Sequence, residues 1–155
     1  MKTRVWSAVA LAIIVMGPVG CSEAPEQAAE SAVPEGIAVT NARLMLPAVK
    51  GNPGAVYFDI ANTGSESRVI RAASVAGAQS TMLHATAEGG EMQEAAQIMV
   101  PAGGSAKLEP GNDHLMAMGL ADTVVAGGKA DVTITFVGGI KTTFAADVHA
   151  AGDER

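Results

Sequence analysis

The residues of this chain most able to do chemistry are two histidines and two methionines. His114 and Met116 flank Leu115, while Met92 and His84 lie upstream in the chain. Side chains at i and i+2 of a β-strand emerge on the same face, about 7 Å apart, so an imidazole and a thioether can reach one ion. Thioether sulfur is a soft ligand that suits Cu(I), and imidazole also binds copper. The set therefore predicts a copper site.

Three other side chains could join these four, and the sequence leaves their contribution open. Met82 precedes His84 by two residues and Met118 follows Met116 by two, so each repeats the same-face relation. A methionine in a strand is more often core filler, because its flexible side chain packs into irregular gaps. His149 lies near the C-terminal end, where we expect a solvated side chain.

Other chemistries fit the residues of this chain less well. Blue-copper electron transfer requires a cysteine thiolate with two histidines, and the single cysteine, Cys21, lies near the N-terminus. Methionine is a poor ligand for zinc, whose structural sites prefer cysteine and histidine. Cu(II) stays open if nitrogen or oxygen ligands join the site. No hydrolase triad, nucleophile elbow or phosphate loop stands out, so we expect the protein not to be an enzyme.

The elements that must position these residues are short β-strands. Aromatic residues make up only 3% of the chain, whereas 18 glycines and 7 prolines supply frequent turns. Runs of β-prone residues on both sides of Gly138-Gly139 predict the clearest hairpin. No segment shows an apolar stripe of helical period, so we predict an all-β sandwich of short strands. The strands are expected at 37–46, 55–62, 67–75, 81–85, 97–100, 105–108, 114–118, 131–137 and 140–148.

Two further expectations concern packing around these strands. Gly89-Gly90 lies between His84 and Met92, which predicts that these two residues flank one hairpin turn. The core must rest mainly on aliphatic side chains, because large apolar residues are few. Its large members are expected to be Tyr57, Phe58, Phe136 and Phe144.

Residues 1–20 have the composition of an export signal. Lys2 and Arg4 precede an almost uninterrupted apolar run that is too short for a membrane-spanning helix. Val19-Gly20-Cys21 resembles the lipidation site of bacterial lipoproteins, although Pro18 stands where that pattern prefers leucine. We predict cleavage before Cys21 and a lipid anchor on it, with cleavage nearby and no lipid as the alternative. Residues 21–36 are predicted as a flexible tether, 37–149 as one copper-binding domain and 150–155 as a disordered tail.

The charge of the chain limits its partners. Removal of residues 1–20 takes away Lys2 and Arg4 and no acid, so the formal charge changes from −6 to −8. An acidic domain lacks the basic patch that nucleic-acid binding requires, so nucleic acid is not an expected partner. The export signal and lipid anchor predict a periplasmic or cell-envelope protein held at a membrane.

The spacing of the candidate ligands and the segments around them follow a recognisable pattern. Positions 93–113 separate Met92 from His114-Leu115-Met116. Nearby stand Val100-Pro-Ala-Gly-Gly-Ser, Leu108-Glu-Pro-Gly and His114-Leu-Met-Ala-Met-Gly-Leu. These features resemble the PCuAC family of periplasmic copper chaperones, whose signature is a histidine, a methionine a short way on, and then His-x-Met at the same distance from that methionine as here. The resemblance covers roughly residues 37–148. Only positions 85–91 separate His84 from Met92, a few fewer than usual, which predicts a tighter hairpin.

The resemblance implies a fold, a ligand set and a role. The fold would be a cupredoxin-like β-sandwich of Greek-key type, and one Cu(I) would be bound by His84, Met92, His114 and Met116. The role would be delivery of copper to a recipient protein, either cytochrome c oxidase subunit II, which carries a copper centre, or another copper chaperone. The alternative from a different class is a metal-free β-sandwich that docks a partner protein in the cell envelope.

Overall fold

The computed structural model describes residues 34–86 and 91–153, and these form ten β-strands and no helix. The predicted export signal, Cys21 and most of the tether lie outside the described residues. No helix in the described part of the chain is long and apolar enough to cross a membrane. The strands are β1 (Ile37–Met45), β2 (Gly54–Asn62), β3 (Arg68–Val75), β4 (Ser80–Thr86), β5 (Met92–Glu94), β6 (Ile98–Val100), β7 (Gly104–Leu108), β8 (His114–Met118), β9 (Lys129–Phe136) and β10 (Lys141–His149).

The strands form one curled sheet in which β1 connects two halves. The order is β5-β4-β8-β2-β1-β10-β9-β3-β6, and β7 pairs with β2 beside β8. β1 runs antiparallel to β2 and parallel to β10, and its pairing with β10 involves residues 43–45 alone. Because the sheet curls, its two halves pack their inner faces together as a sandwich.

The core lies between these two halves and consists of alternate side chains from each strand. Along β2, Val56, Phe58 and Ile60 are buried, while the residues between them are half-buried on the other face. The expectation for Tyr57 was wrong: it alternates with Phe58 and lies on the outer face. Phe58 and Phe144 do pack together, with ring centroids 5.0 Å apart. The largest side chains that are fully buried are Phe58, Phe136, Leu44, Ile60, Ile70, Leu108, Leu115 and Ile134.

All nine predicted strands occur, and each boundary lies within two residues of the expected one. The hairpin at Gly138-Gly139 joins β9 to β10, with Lys141 opposite Thr135. Both glycines have positive φ, 93° and 87°, as a tight turn of this type requires. The strand that sequence reasoning missed is β5, because its three residues are all exposed and show no apolar alternation.

A β-bulge in β1 decides which of its side chains reach the outer face. The register with β2 shifts between Thr40 and Arg43, and Asn41 within this interval has a φ of 55°. Asparagine tolerates this left-handed conformation better than most residues, and Asn41 Nδ2 also donates a hydrogen bond to Asp59 Oδ2 at 2.6 Å. The extra residue places Arg43 opposite Tyr57.

Candidate metal centre

Three of the four candidate ligands, His84, His114 and Met116, lie together on the outer face of β4 and β8, the face opposite the core. Leu83 and Leu115 are buried in the core, so the alternating residues His84 and His114 lie on the outer face. The two histidines are direct partners across the strands. Their ring centroids are 5.4 Å apart and their planes are inclined by 50°. The two imidazoles are therefore neighbours in space, although residues 85–113 separate them in the chain.

A second pair of side chains lies next to the histidines on the same outer face. Met82 is the direct partner of Met116, and each lies two residues from a histidine on its own strand. Both methionines are half-buried. On the outer face, the pair of imidazoles from His84 and His114 therefore lies next to the pair of thioethers from Met82 and Met116. Met116 was a predicted ligand, whereas the sequence left the contribution of Met82 open.

Met92 lies at the other side of the histidine pair. It is on β5 opposite Thr86, whereas Glu94 of the same strand is opposite His84. Met92 is therefore displaced from His84 along the sheet in the direction away from Met116. The predicted hairpin between His84 and Met92 is confirmed by the antiparallel pairing of β4 with β5.

Met92 is held loosely at this position. Its side chain is 46% exposed, and the Thr86 hydroxyl lies 3.6 Å from its sulfur. The same hydroxyl lies 2.9 Å from the carbonyl oxygen of Gly111. A hydroxyl has one proton to donate, and a carbonyl oxygen is a stronger acceptor than a thioether. The sulfur of Met92 is therefore available to another partner.

A tight turn before β8 orients His114. Glu109-Pro110-Gly111-Asn112 has proline second and glycine third, Gly111 has a φ of 83°, and the Asn112 amide donates to the Glu109 carbonyl at 3.0 Å. These are the features of a type II turn, which needs positive φ at its third residue. The turn brings the Asn112 carbonyl oxygen to 2.9 Å from His114 Nδ1.

This hydrogen bond determines which nitrogen of His114 can bind a metal. A carbonyl oxygen only accepts, so Nδ1 must carry the proton and donate it. In the neutral ring the lone pair is then on Nε2, which faces away from the turn. Metal-binding histidines usually have their second nitrogen fixed in this way. His114 is also only 8% exposed, so its ring has little freedom to turn.

Tyr57 and Arg43 border the histidine pair on the side of β2 and β1. The Tyr57 ring centroid lies 6.0 Å from that of His114. The Arg43 guanidinium carbon lies 5.0 Å from the Tyr57 ring centroid, within the range of a cation–π contact. Sequence reasoning assigned Tyr57 to the core. Its contact with His114 arises because β2 and β8 are neighbours in the sheet, which no local sequence pattern reveals.

The donors on this face determine which metals fit it. Among residues 34–86 and 91–153, no three or more His, Cys, Asp or Glu side chains form a group that could hold a metal ion. The same face carries methionine sulfur beside the two imidazoles. Neutral thioether and imidazole donors are the set that suits Cu(I). Met118 and His149, left open by the sequence, differ in position: Met118 is opposite Ser80 on the outer face, and His149 is opposite Met45 at the end of β10.

The candidate centre lies on the outer face of the sheet, where His114 is buried and Met82, His84 and Met116 are half-buried. A cavity of about 750 Å³ lies elsewhere, where β1 and β10 diverge, and Phe144, Arg43 and His149 are among the residues that line it. A single metal ion is held by donor atoms at about 2 Å, so the candidate centre does not need a cavity of this size.

Comparison with known proteins identifies the family of the chain. The model of the LpqE-like family, described as "Putative lipoprotein LpqE-like", matches residues 37–148. A relative from Leifsonia xyli subsp. xyli, "Putative lipoprotein Lxx21020", is 33% identical over 150 residues, which cover 94% of this chain and 90% of the relative. The chain belongs to the LpqE-like lipoprotein family.

Solved structures show that this LpqE-like protein has the fold of PCuAC domains. The copper-bound PCuAC domain from PmoF2 has a TM-score of 0.64 at 19% identity, and the match covers 74% of this chain and 93% of that domain. CuI-DR1885 from Deinococcus radiodurans has a TM-score of 0.63 at 26% identity, and the match covers 83% of this chain and 89% of that protein. The predicted cupredoxin-like β-sandwich and the resemblance to PCuAC are thereby confirmed. The expectation of a non-enzymatic protein agrees with these relatives.

Proposed function

We propose that this LpqE-like protein is a copper chaperone that binds one Cu(I) as cargo. Its ligands are His84, Met92, His114 and Met116. The observation that carries the proposal is the pairing of His84 with His114, whose ring centroids are 5.4 Å apart, beside the thioether of Met116. The copper that the names of the PmoF2 domain and CuI-DR1885 report gives independent support.

The position of the donors suits transfer better than permanent storage. They lie on the outer face of the sheet, where His114 is buried, His84 and Met116 are half-buried and Met92 is exposed, so a recipient protein would reach the ion from the side of Met92. Met92 is 46% exposed on an edge strand of three residues, so one ligand can leave without disturbing the core. Thioethers are neutral and need no deprotonation, so their release and capture of Cu(I) involve no proton.

The test is Cu(I) uptake by the purified chain in competition with a chelator of known affinity. The wild type is expected to take up one Cu(I) per chain, and His114→Ala/Met116→Ala is expected to lose it. X-ray absorption at the copper edge should show sulfur and nitrogen scatterers, and would also reveal Cu(II) if that is the ion bound. Met99→Ala is the matched control, because Met99 is 62% exposed on β6 in the other half of the sheet.

Wild-type protein that takes up no copper would contradict the chaperone function. The metal-free interaction module would then be the better explanation of this fold. Uptake that survives His114→Ala/Met116→Ala but disappears in another variant would keep copper binding and overturn the site.

The same proposal places the chaperone at a membrane. Cleavage before Cys21 would leave a lipid-anchored cysteine, and residues 21–36 would act as the tether to the domain at 37–149, with 150–155 as a tail. A copper-receiving protein of the cell envelope, such as cytochrome c oxidase subunit II or another copper chaperone, would then be within reach. Membership of a lipoprotein family supports the anchor. Cys21→Ser should move the protein from the membrane fraction to the soluble fraction, and an unchanged distribution would refute the anchor.

A further inference from the structure

Met82 is placed as a ligand would be, although nothing assigns it to the metal. It is the direct cross-strand partner of Met116 and lies two residues from His84 on β4. Its neighbour Leu83 is buried in the core, so Met82 is on the outer face with both histidines. Opposed side chains in antiparallel strands have Cβ atoms about 4.5–5.5 Å apart. Methionine has three rotatable bonds, so the two sulfurs can meet over one point beside the imidazoles.

Met92 is farther from Met116 than Met82 is. Met92 is on β5 and Met116 is on β8, so β4 lies between their strands. Along the strand direction, Met92 is level with Thr86, whereas Met116 is level with Met82, two steps of two residues away. Neighbouring strands lie about 4.8 Å apart, and each step of two residues adds about 7 Å. The same ion contacts both sulfurs only if β5 or the side chain of Met92 moves inward.

The exposure of β5 would allow Met92 to leave a bound ion and the thioether of Met82 to take its place. All three residues of this edge strand are exposed, and regions with few buried contacts open locally at low cost in free energy. Met82, by contrast, is on a seven-residue strand between β5 and β8 and is half-buried. One thioether is therefore built into the sheet and the other is at its exposed edge.

We propose that Met82 is a fifth donor of this centre and exchanges with Met92 on a Cu(I) that stays bound to His84, His114 and Met116, in the wild type as well as when a recipient approaches. The proposal rests on the copper-chaperone function. In the exchange, the copper–sulfur bond to Met92 breaks and one to Met82 forms. Both ligands are neutral, copper stays Cu(I), and no proton or electron is transferred. Met92 is then free to leave first when a recipient offers its own ligand.

The exchange is tested with leucine variants of the full chain, since leucine keeps the volume of methionine and removes its sulfur. Met92→Leu is expected to weaken Cu(I) binding by less than about tenfold and to keep two sulfur scatterers, because Met82 replaces the lost donor. Met82→Leu/Met92→Leu is expected to weaken binding by at least about tenfold more and to leave one sulfur. Met99→Leu should equal the wild type.

A second measurement on the wild type requires no variant to fold. Methyl groups of labelled methionines are observed by NMR while Cu(I) is added. The methyl signals of Met82 and Met116 should both shift, and that of Met99 should not. If Met82→Leu/Met92→Leu binds copper as Met92→Leu does, or the Met82 methyl stays unmoved, the fifth donor is refuted and the chaperone function stands. Absence of uptake by the wild type would overturn both.

Discussion

His84 and His114 are direct partners across β4 and β8, with ring centroids 5.4 Å apart and planes inclined by 50°. His114 is buried and its Nδ1 donates to the Asn112 carbonyl at 2.9 Å, whereas His84 is half-buried at the side of the exposed β5. One imidazole is thus pre-oriented by the fold, and the other has room to adjust.

Copper affinity is expected to fall in acid. Only neutral imidazole coordinates, so protons compete with Cu(I) for the same ring nitrogens of His84 and His114. The Cu(I) affinity measured by chelator competition should therefore be lower at about pH 5 than at about pH 7.5. Equal affinity at the two pH values would argue against ligation by histidine.

Removal of the Tyr57 ring is expected to weaken copper binding without removing a ligand. The ring lies 6.0 Å from that of His114, and a side chain that supports a metal-binding histidine can affect affinity by about 10–100-fold. Tyr57→Ala should weaken Cu(I) binding by about tenfold and leave the number of sulfur and nitrogen scatterers unchanged. Tyr57→Phe keeps the ring and should have a smaller effect. A larger loss in Tyr57→Phe than in Tyr57→Ala would exclude a role through ring packing.

Asn62→Asp is expected to be among the costly single substitutions in this fold. Asn62 is 1% exposed, and its Nδ2 donates to three backbone carbonyl oxygens. These belong to Glu66, Val100 and Pro101, at 2.8, 3.3 and 3.1 Å. A carboxylate at this position would face the carbonyl oxygens with no proton to donate. The free energy of unfolding at pH 7 should fall by about 2–4 kcal/mol in urea titrations.

The pH dependence of this loss provides its control. Burial among carbonyl oxygens raises the pKa of the introduced carboxyl group, so the deficit is largest above its folded pKa. It should shrink as the pH falls through that value, because the protonated group can donate a hydrogen bond. Asn52→Asp, at an exposed position, should change stability by less than about 0.5 kcal/mol. A deficit that is the same at pH 4 and pH 7 would contradict this explanation.

Asp147 provides a test of the contact between β9 and β10. The hydrogen bond from Lys129, at 2.5 Å, and the charge of that lysine lower the pKa of Asp147 below its ordinary 3.8, and the charge of His149 lowers it slightly further. A lowered pKa means that any stability from this pair is present above pH 3.8 and is lost as the pH falls through the folded value. Because the pair is exposed, the contribution to stability should be small.

Lys129→Met should raise the pKa of Asp147 toward its ordinary value, and an NMR titration of the carboxyl carbons can measure it. Lys50→Met is the matched control, because Lys50 pairs with Asp122 at 2.7 Å on another surface. An unchanged pKa in Lys129→Met would show that the ion pair is not maintained in solution.

Much of this architecture could be predicted from local patterns. Runs of β-prone residues between turn signals identified nine strands, and Gly138-Gly139 marked its hairpin because two positive φ angles strongly favour glycine. The pattern His114-Leu115-Met116 was sufficient to place an imidazole and a thioether on one face, since the side-chain period of a strand is two residues. β5 was missed because an edge strand of three exposed residues needs no apolar alternation.

What the sequence by itself determined is which residues are candidate donors and which of them share a face of their own strand. Only the tertiary structure decided which strands are neighbours and in what register. That register brought His84 opposite His114, set Met82 rather than Met92 beside Met116, and moved Tyr57 from the expected core to the outer face. The physical reason is that register between distant strands depends on how the whole core packs, and a shift of one residue would turn every one of these side chains to the opposite face.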